Sequence, residues 1–255
     1  MSIVKRITRK IGRIVRGEKA PVVQQASPER LQKIEDLAAI PVTDDKEIRR
    51  VEIIMLKYKE DPEVINTAVE NIIHYTEHPF KLTVFDNRLN TANIARIWNK
   101  LVSESTCDYV CIIDSDAHVS KTDPCWLTRM MESVDETGVV VPMGDNVGGV
   151  NQADSAKTYP AHRREHGIWT GFCFLFKKNV WEKLPFDERF YMYGQESAWA
   201  YLLGKKEGVV LRTDTLIHHE QGHSAKKNEA AGTFDRTADK RHAGQLLKRI
   251  MEEAD

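Results

Sequence analysis

Residues 108–119 read DYVCIIDSDAHV, an apolar run that stops at Asp114-Ser115-Asp116. Side chains alternate along a strand, so residues i and i+2 share a face. Two carboxylates there repel one another unless positive charge sits between them. The pair is therefore a candidate divalent-cation site at the end of a strand. The plain alternative is a strand end followed by an Asp/Ser turn. A second apolar run, Leu82–Phe85, also ends in an acid, at Asp86-Asn87. Further on lie a carboxylate in YGQES, Glu196, and adjacent histidines, His218 and His219.

The elements that must position these groups follow from periodicity. Val51–Leu56 reads as a strand, and Pro62 can open the helix after it, since its missing N–H has no partner in a first turn. Val64, Ile65, Ala68, Val69, Ile72 and Ile73 give that helix one apolar face. Leu82–Phe85 is a second strand, and Ile94, Ile97, Trp98 and Leu101 mark a second helix. Tyr109–Ile113 is a third strand, 124–134 a third helix and Val139–Val141 a fourth strand. Strand starts recur at about 30 residues, the length of one βαβ unit. The expected fold is therefore α/β, a mostly parallel, doubly wound sheet with helices on both faces. Ligands of such sheets bind beyond the carboxyl ends of the strands, where both acid clusters fall. No GxxxxGK[ST] is present, nor a GxGxxG after the first strand. GDNVGG (144–149) has the wrong spacing for a dinucleotide fingerprint and reads as a flexible loop. A nucleotide bound here would need a metal ion to neutralise its phosphates.

Composition is that of an ordinary globular chain, 41% hydrophobic and 29% charged over 255 residues, with a net charge of −1 that excludes no partner class. No apolar stretch approaches the ~20 residues that span a bilayer. Cys107, Cys111, Cys125 and Cys173 form no CxxC pair and read as reduced cysteines of a cytoplasmic chain. The first twenty residues differ. Seven Lys/Arg stand against Glu18 alone, and Ile3, Ile7, Ile11 and Ile14 recur at helical spacing. This basic amphipathic helix suits an anionic membrane surface, which would put the protein at the inner membrane face, or DNA, or a transit peptide, being Arg-rich and nearly acid-free, or docking on its own domain. The division expected is 1–45 basic helical extension and linker, 46–232 main domain and 233–255 C-terminal helix, the last carrying Leu246, Leu247, Ile250 and Met251 at helical spacing.

The ordered set from 51 to 224 resembles the GT-A glycosyltransferases of the family 2 kind. It comprises the first strand unit, Asp86, the DxD at 114–116, TGFCFLFKKNVWEKL, PFDERF, YGQES, and His219 with Ser224 five residues on. The chain departs from the pattern at YGQES, where Glu-Asp is common, and at FDNRLN, where a Ser-rich turn is common. The resemblance implies the GT-A, Rossmann-like fold and a metal-dependent inverting transfer of sugar from a nucleotide-sugar, with a UDP-sugar the default donor. It implies Mn²⁺ or Mg²⁺ on Asp114, Asp116 and His219, with His218 the fallback, and Asp114 shared with the ribose. Asp86 and Asn87 would face the nucleobase or ribose, Trp169 and Gly171 would lie near the sugars, and Glu196 would be the general base. By residue type, Trp169 reads equally as core and Glu196 as a helix N-terminal acid. Phe186, Phe190, Tyr191 and Tyr193 read as core, with one of the tyrosines alternatively lining the acceptor cleft, and Asp187 as a turn acid. The acceptor is left open by the resemblance, and the expected classes are a hydroxyl on a glycan, a lipid-linked glycan or a modified nucleic-acid base.

Two rivals stand beside this. HEQGH (219–223) is a literal HExxH, the zinc-protease pattern of two histidines one helical turn apart with a glutamate base, and Glu229 would be its third ligand. Gly222 interrupts the helix that this needs, the residues before it read as strand and turn, and no HxxGxxH extension follows. The other rival is a non-catalytic nucleotide- or glycan-binding domain. The polar stretch 225–232 reads as a surface loop, or as a lid over the donor.

Overall fold

In β1 (Val51–Lys57), alternate residues belong to different cores. Val51, Ile53 and Met55 pack with one cluster, and Ile54 packs with another. That alternation is the period of two of a strand buried on both faces. The computed structural model describes residues 49–57, 62–87, 93–204, 208–220 and 235–254. The basic extension, the linker, and the stretch containing His223, Ser224, Glu229 and 225–232 lie outside the described residues.

The chain continues through α1 (Pro62–Tyr75), β2 (Phe80–Asp86), α2 (Ile94–Glu104), β3 (Tyr109–Asp114) and β4 (Ala117–His118). Then come α3 (Trp126–Thr137), β5 (Val139–Gly144), β6 (His162–Glu165), β7 (Cys173–Lys177), α4 (Lys178–Lys183), α5 (Gln195–Gly204), β8 (Val209–His219) and α6 (Arg236–Ala254). Asn93 starts α2 by accepting a hydrogen bond from the Arg96 amide at 2.9 Å, and Gly138, at φ 80°, ends α3 in the left-handed turn that glycine adopts without strain.

The sheet order is β2-β1-β3-β7-β5-β8-β4, with β6 also paired to β8. β1 is parallel to β2 and β3, and β5 is parallel to β8. β7 is antiparallel to both β3 and β5, so β1, β2, β3, β5 and β8 all run one way. The mostly parallel expectation is met, and the reversed strand β7 at the sheet centre is new. Its run CFLFK is buried almost throughout and lacks alternation. Helices cover both faces. α1 and α3 contribute Ala68, Ile72, Leu127 and Met130 to one core, while α2 and α5 contribute Trp98, Leu101, Trp199 and Ala200 to the other. A third, small cluster seats α6 on α5 through Ala198, Ala243, Leu246 and Ile250 together with Phe190.

Candidate active site

Register brings the acids to one edge. Lys57 at the end of β1 pairs with Asp86 on one side, and its neighbour Leu56 pairs with Asp114 on the other. The two acids are thus two strand spacings apart, about 10 Å along the sheet edge. Asn87 follows, buried, with neither amide atom hydrogen-bonded among the described residues.

Past Asp114 the chain turns at once and re-enters as β4. Its Ala117 and His118 pair antiparallel with His219 and His218 of β8. The Glu220 amide donates to the Asp116 carbonyl at 3.0 Å, which clamps the DSD turn against the end of β8. The result is a triad. One ligand atom from each of Asp114, Asp116 and His219 lies within 4.8 Å of the others. His219 Nε2 is 3.3 Å from Asp116 and 3.7 Å from Asp114. The Asp116 and His219 side chains are 9% exposed and that of Asp114 is 43%, so the triad is walled by protein and open on the Asp114 side. Burial opposes a charge on the His219 ring, but the two carboxylates outweigh it and raise the imidazole to about 10. A cation on the triad would take the place of that proton. Carboxylate oxygens with one imidazole form a donor set suited to Mn²⁺ and acceptable to Mg²⁺.

His218 faces the other way. Adjacent strand residues alternate, and its ring lies beside His118, with centroids 6.1 Å apart, while its Nδ1 donates to Asp145 at 2.8 Å. His219, not His218, meets the DSD carboxylates. β8 also disposes of the zinc-protease geometry. His219 ends a strand, so no helix runs through HEQGH from its first histidine.

Glu196 stands in the first turn of α5, half-buried against Gly171. A Cβ on Gly171 would fall 2.6 Å from Glu196 Cγ, so the pair fit only because residue 171 has no side chain. The next residue, Phe172, accepts the Asp114 amide at 2.8 Å through its carbonyl. Two contacts, joined by the Gly171–Phe172 peptide bond, therefore link the base candidate to the triad. Burial raises the Glu196 carboxyl from its ordinary 4.5 to about 7; a bond from its own amide pulls the other way, and the charge of Asp114 adds to the rise. The segment before α5 is held by Asp239 of α6, whose carboxylate accepts the Met192 and Tyr193 amides at 3.3 and 3.2 Å.

Trp169 is 1% exposed and packs on Phe174 with ring centroids 5.0 Å apart, in the core beneath the site. Phe186 and Phe190 are core, as expected, and Tyr191 is exposed. Asp187 folds back on Arg189 as a turn acid. The GDNVGG loop is densely tied. Asn151 accepts the Thr170 amide at 2.9 Å and donates to the Thr170 carbonyl at 3.1 Å, and Gly148 and Thr170 bond one another. Asp145 in this loop, and Phe172, are the residues the sequence argument missed. The rule that ligands gather beyond strand carboxyl ends would have pointed to Asp145, which directly follows β5.

No family model and no curated protein matches the sequence. Solved structures do match. GalNAc-T7, crystallised with UDP, GalNAc and Mn²⁺, aligns at 12% identity and TM-score 0.50 over 67% of this chain and 43% of its own. S. aureus TarS 1-349 aligns at 11% identity and TM-score 0.50 over 80% of this chain and 72% of its own. Both are GT-A glycosyltransferases. The fold is GT-A. The chain spans under half of the GalNAc-T7 chain. In this GT-A sheet the DSD follows β3 and His219 closes β8, with β7 running between β3 and β5.

Proposed function

We propose that this chain is a metal-dependent, inverting glycosyltransferase that moves a sugar from a nucleotide-sugar, a UDP-sugar by default, to an acceptor hydroxyl. The observation that carries this is the triad of Asp114, Asp116 and His219 at the carboxyl edge of a GT-A sheet, with Glu196 reached from it through Phe172 and Gly171. The GalNAc-T7 structure, which contains UDP, GalNAc and Mn²⁺, supports the donor class and the metal. Mn²⁺ or Mg²⁺ held by the triad would supply positive charge to the departing diphosphate.

In this mechanism Glu196 takes the proton from the acceptor hydroxyl. The acceptor oxygen bonds to the anomeric carbon as the bond from that carbon to the phosphate oxygen breaks. The electron pair leaves with the nucleoside diphosphate, and attack from the opposite side inverts the centre. A carboxyl with pKa about 7 suits a general base near neutrality, because it is both available and basic enough to accept the proton. Asp86 and Asn87 would line the nucleoside side of the same edge, and the Asn87 side-chain amide, without a hydrogen-bond partner among the described residues, offers its N–H donors and its oxygen acceptor. Gly171 keeps the backbone low beneath the sugar. The acceptor is a glycan, a lipid-linked glycan or a modified nucleic-acid base. Deleting residues 1–20 sorts these: lost liposome binding supports the lipid-linked class, lost salt-sensitive DNA binding the nucleic acid.

A thermal-shift panel tests the whole. UDP, GDP, CMP and dTDP are each added with and without Mn²⁺, and Zn²⁺ is added alone. A ligand at 100 times its Kd stabilises by about 2.7 kcal/mol. A shift with one nucleotide only when Mn²⁺ is present supports transfer and names the donor base. A flat nucleotide panel with a strong Zn²⁺ shift overturns it. Asp116→Asn, close in shape and short of one charge, is expected to keep the fold and lose the Mn²⁺-dependent shift.

A further inference from the structure

Metal-binding histidines are ordinarily oriented by a hydrogen bond on the ring nitrogen away from the metal. Here that nitrogen, His219 Nδ1, is buried with no hydrogen-bond partner among the described residues. The ring rests instead against Phe172, centroids 5.2 Å apart, a contact that limits its tilt but fixes no hydrogen-bond direction. The place of the ring therefore follows from how the His219 backbone is held, by its pairing with Ala117 of β4 and by Asp145.

The His219 amide donates to Asp145 Oδ1 at 3.0 Å, and the His218 ring donates through Nδ1 to Asp145 Oδ2 at 2.8 Å. One carboxylate thus grips two successive residues at the end of β8, one by its backbone and one by its ring. Asp145 follows β5 directly, and β5 is parallel to β8 with a register shift between Pro142 and Met143. After that shift Met143 pairs with Leu216 and Gly144 with Ile217, so the next residue along β5 arrives beside His218 and His219. The base of the loop is tied down as well, by the Gly144 amide donating to the Asn151 carbonyl at 2.9 Å. The carboxylate is therefore held from one side and gripping on the other.

We propose that Asp145 is a positioning residue for the metal centre: by holding the His219 backbone it sets where the imidazole meets Asp114 and Asp116. This rests on the triad being a cation site. It makes Asp145 necessary for tight metal binding although it donates no ligand atom.

The test is Mn²⁺ affinity of the full chain, by titration calorimetry and by the loss of the free-ion paramagnetic resonance signal, with circular dichroism confirming the fold. Asp145→Ala is expected to weaken Mn²⁺ binding about 10- to 100-fold, the usual cost of losing a group that orients a ligand. Asp145→Asn keeps an oxygen for the His219 amide and is expected to recover most of that loss. The Asp145 side chain is 42% exposed, so truncation leaves no large buried void. Asp145→Ser, too short to span both partners, carries the same expectation if the alanine variant does not fold. Wild-type affinity in the folded Ala or Ser variant, alongside loss of binding in Asp116→Asn, overturns the role of Asp145 alone. A wild-type chain that does not bind Mn²⁺ overturns the cation site and this inference together.

Discussion

At the scale of single residues, the protonation of Glu196 sets two measurable curves. Its carboxyl is raised to about 7 chiefly by burial, so the native state keeps the proton longer than the unfolded chain does. The sign follows: between pH about 4.5 and about 7 the folded state binds more protons, and stability falls as pH rises. Glu196→Gln is expected to flatten that part of a stability-against-pH curve measured by denaturant titration. In the proposed mechanism the same ionisation governs activity in the opposite sense, because only the carboxylate accepts a proton. The rate of transfer is expected to climb through pH about 7, and Glu196→Gln to keep nucleotide binding while losing transfer. Near-normal turnover by that variant would remove Glu196 from the role of base.

At the scale of elements, the site depends on how closely β7 and α5 approach. Gly171 lies just before β7, and an added Cβ would also come 2.7 Å from Glu196 Cβ, an atom fixed to the helix backbone that cannot swing aside. Gly171→Ala is therefore expected to cost about 1–3 kcal/mol in stability, as overpacking does. It should lower transfer more than nucleotide binding, which melting and single-turnover rates would separate. This closeness was not legible in the sequence. The strands near 51, 81, 108 and 139 were, because each apolar run is bounded by turn residues and the first three are followed by a helical period. The DSD and Asp86 were legible as strand-end acids. β7 escaped because a strand buried on both faces lacks the alternation that marks one. Asp145 was visible as an acid just past a strand end, but what it grips was not, because its partners belong to β8, 73 residues away in the chain, and local patterns carry no trace of that pairing. His219 could be separated from His218 only once β4 paired with β8 and fixed which ring faced the carboxylates.

At the scale of the whole molecule, the reversed strand anchors an aromatic core. Phe174 of β7 meets Trp98, Trp169, Phe176, Phe186 and Trp199, with ring centroids 5.0 to 6.1 Å apart. These rings come from α2, α5, β7 itself and the loops between, so one side chain joins most of one face of the sheet. Phe174→Ala is expected to cost about 3–5 kcal/mol. It should lower the melting temperature while leaving the Mn²⁺ affinity of the folded fraction near wild type, because the triad is built on the turn beyond β3 and the end of β8.

The pairing of β4 with β8 also has a consequence in time. Asp114 and Asp116 are made early in the chain, and His219 arrives only with the last strand of the sheet. Bringing such distant segments together is the slow part of folding, since loop closure precedes any reward from the contact. The proposed cation site would therefore come into being as the fold is completed, and an ion there would hold only the finished state. Mn²⁺ is expected to slow unfolding in stopped-flow denaturant jumps and to leave the refolding rate unchanged, the pattern of a contact absent from the transition state. Faster refolding with Mn²⁺ would mean instead that β8 docks early.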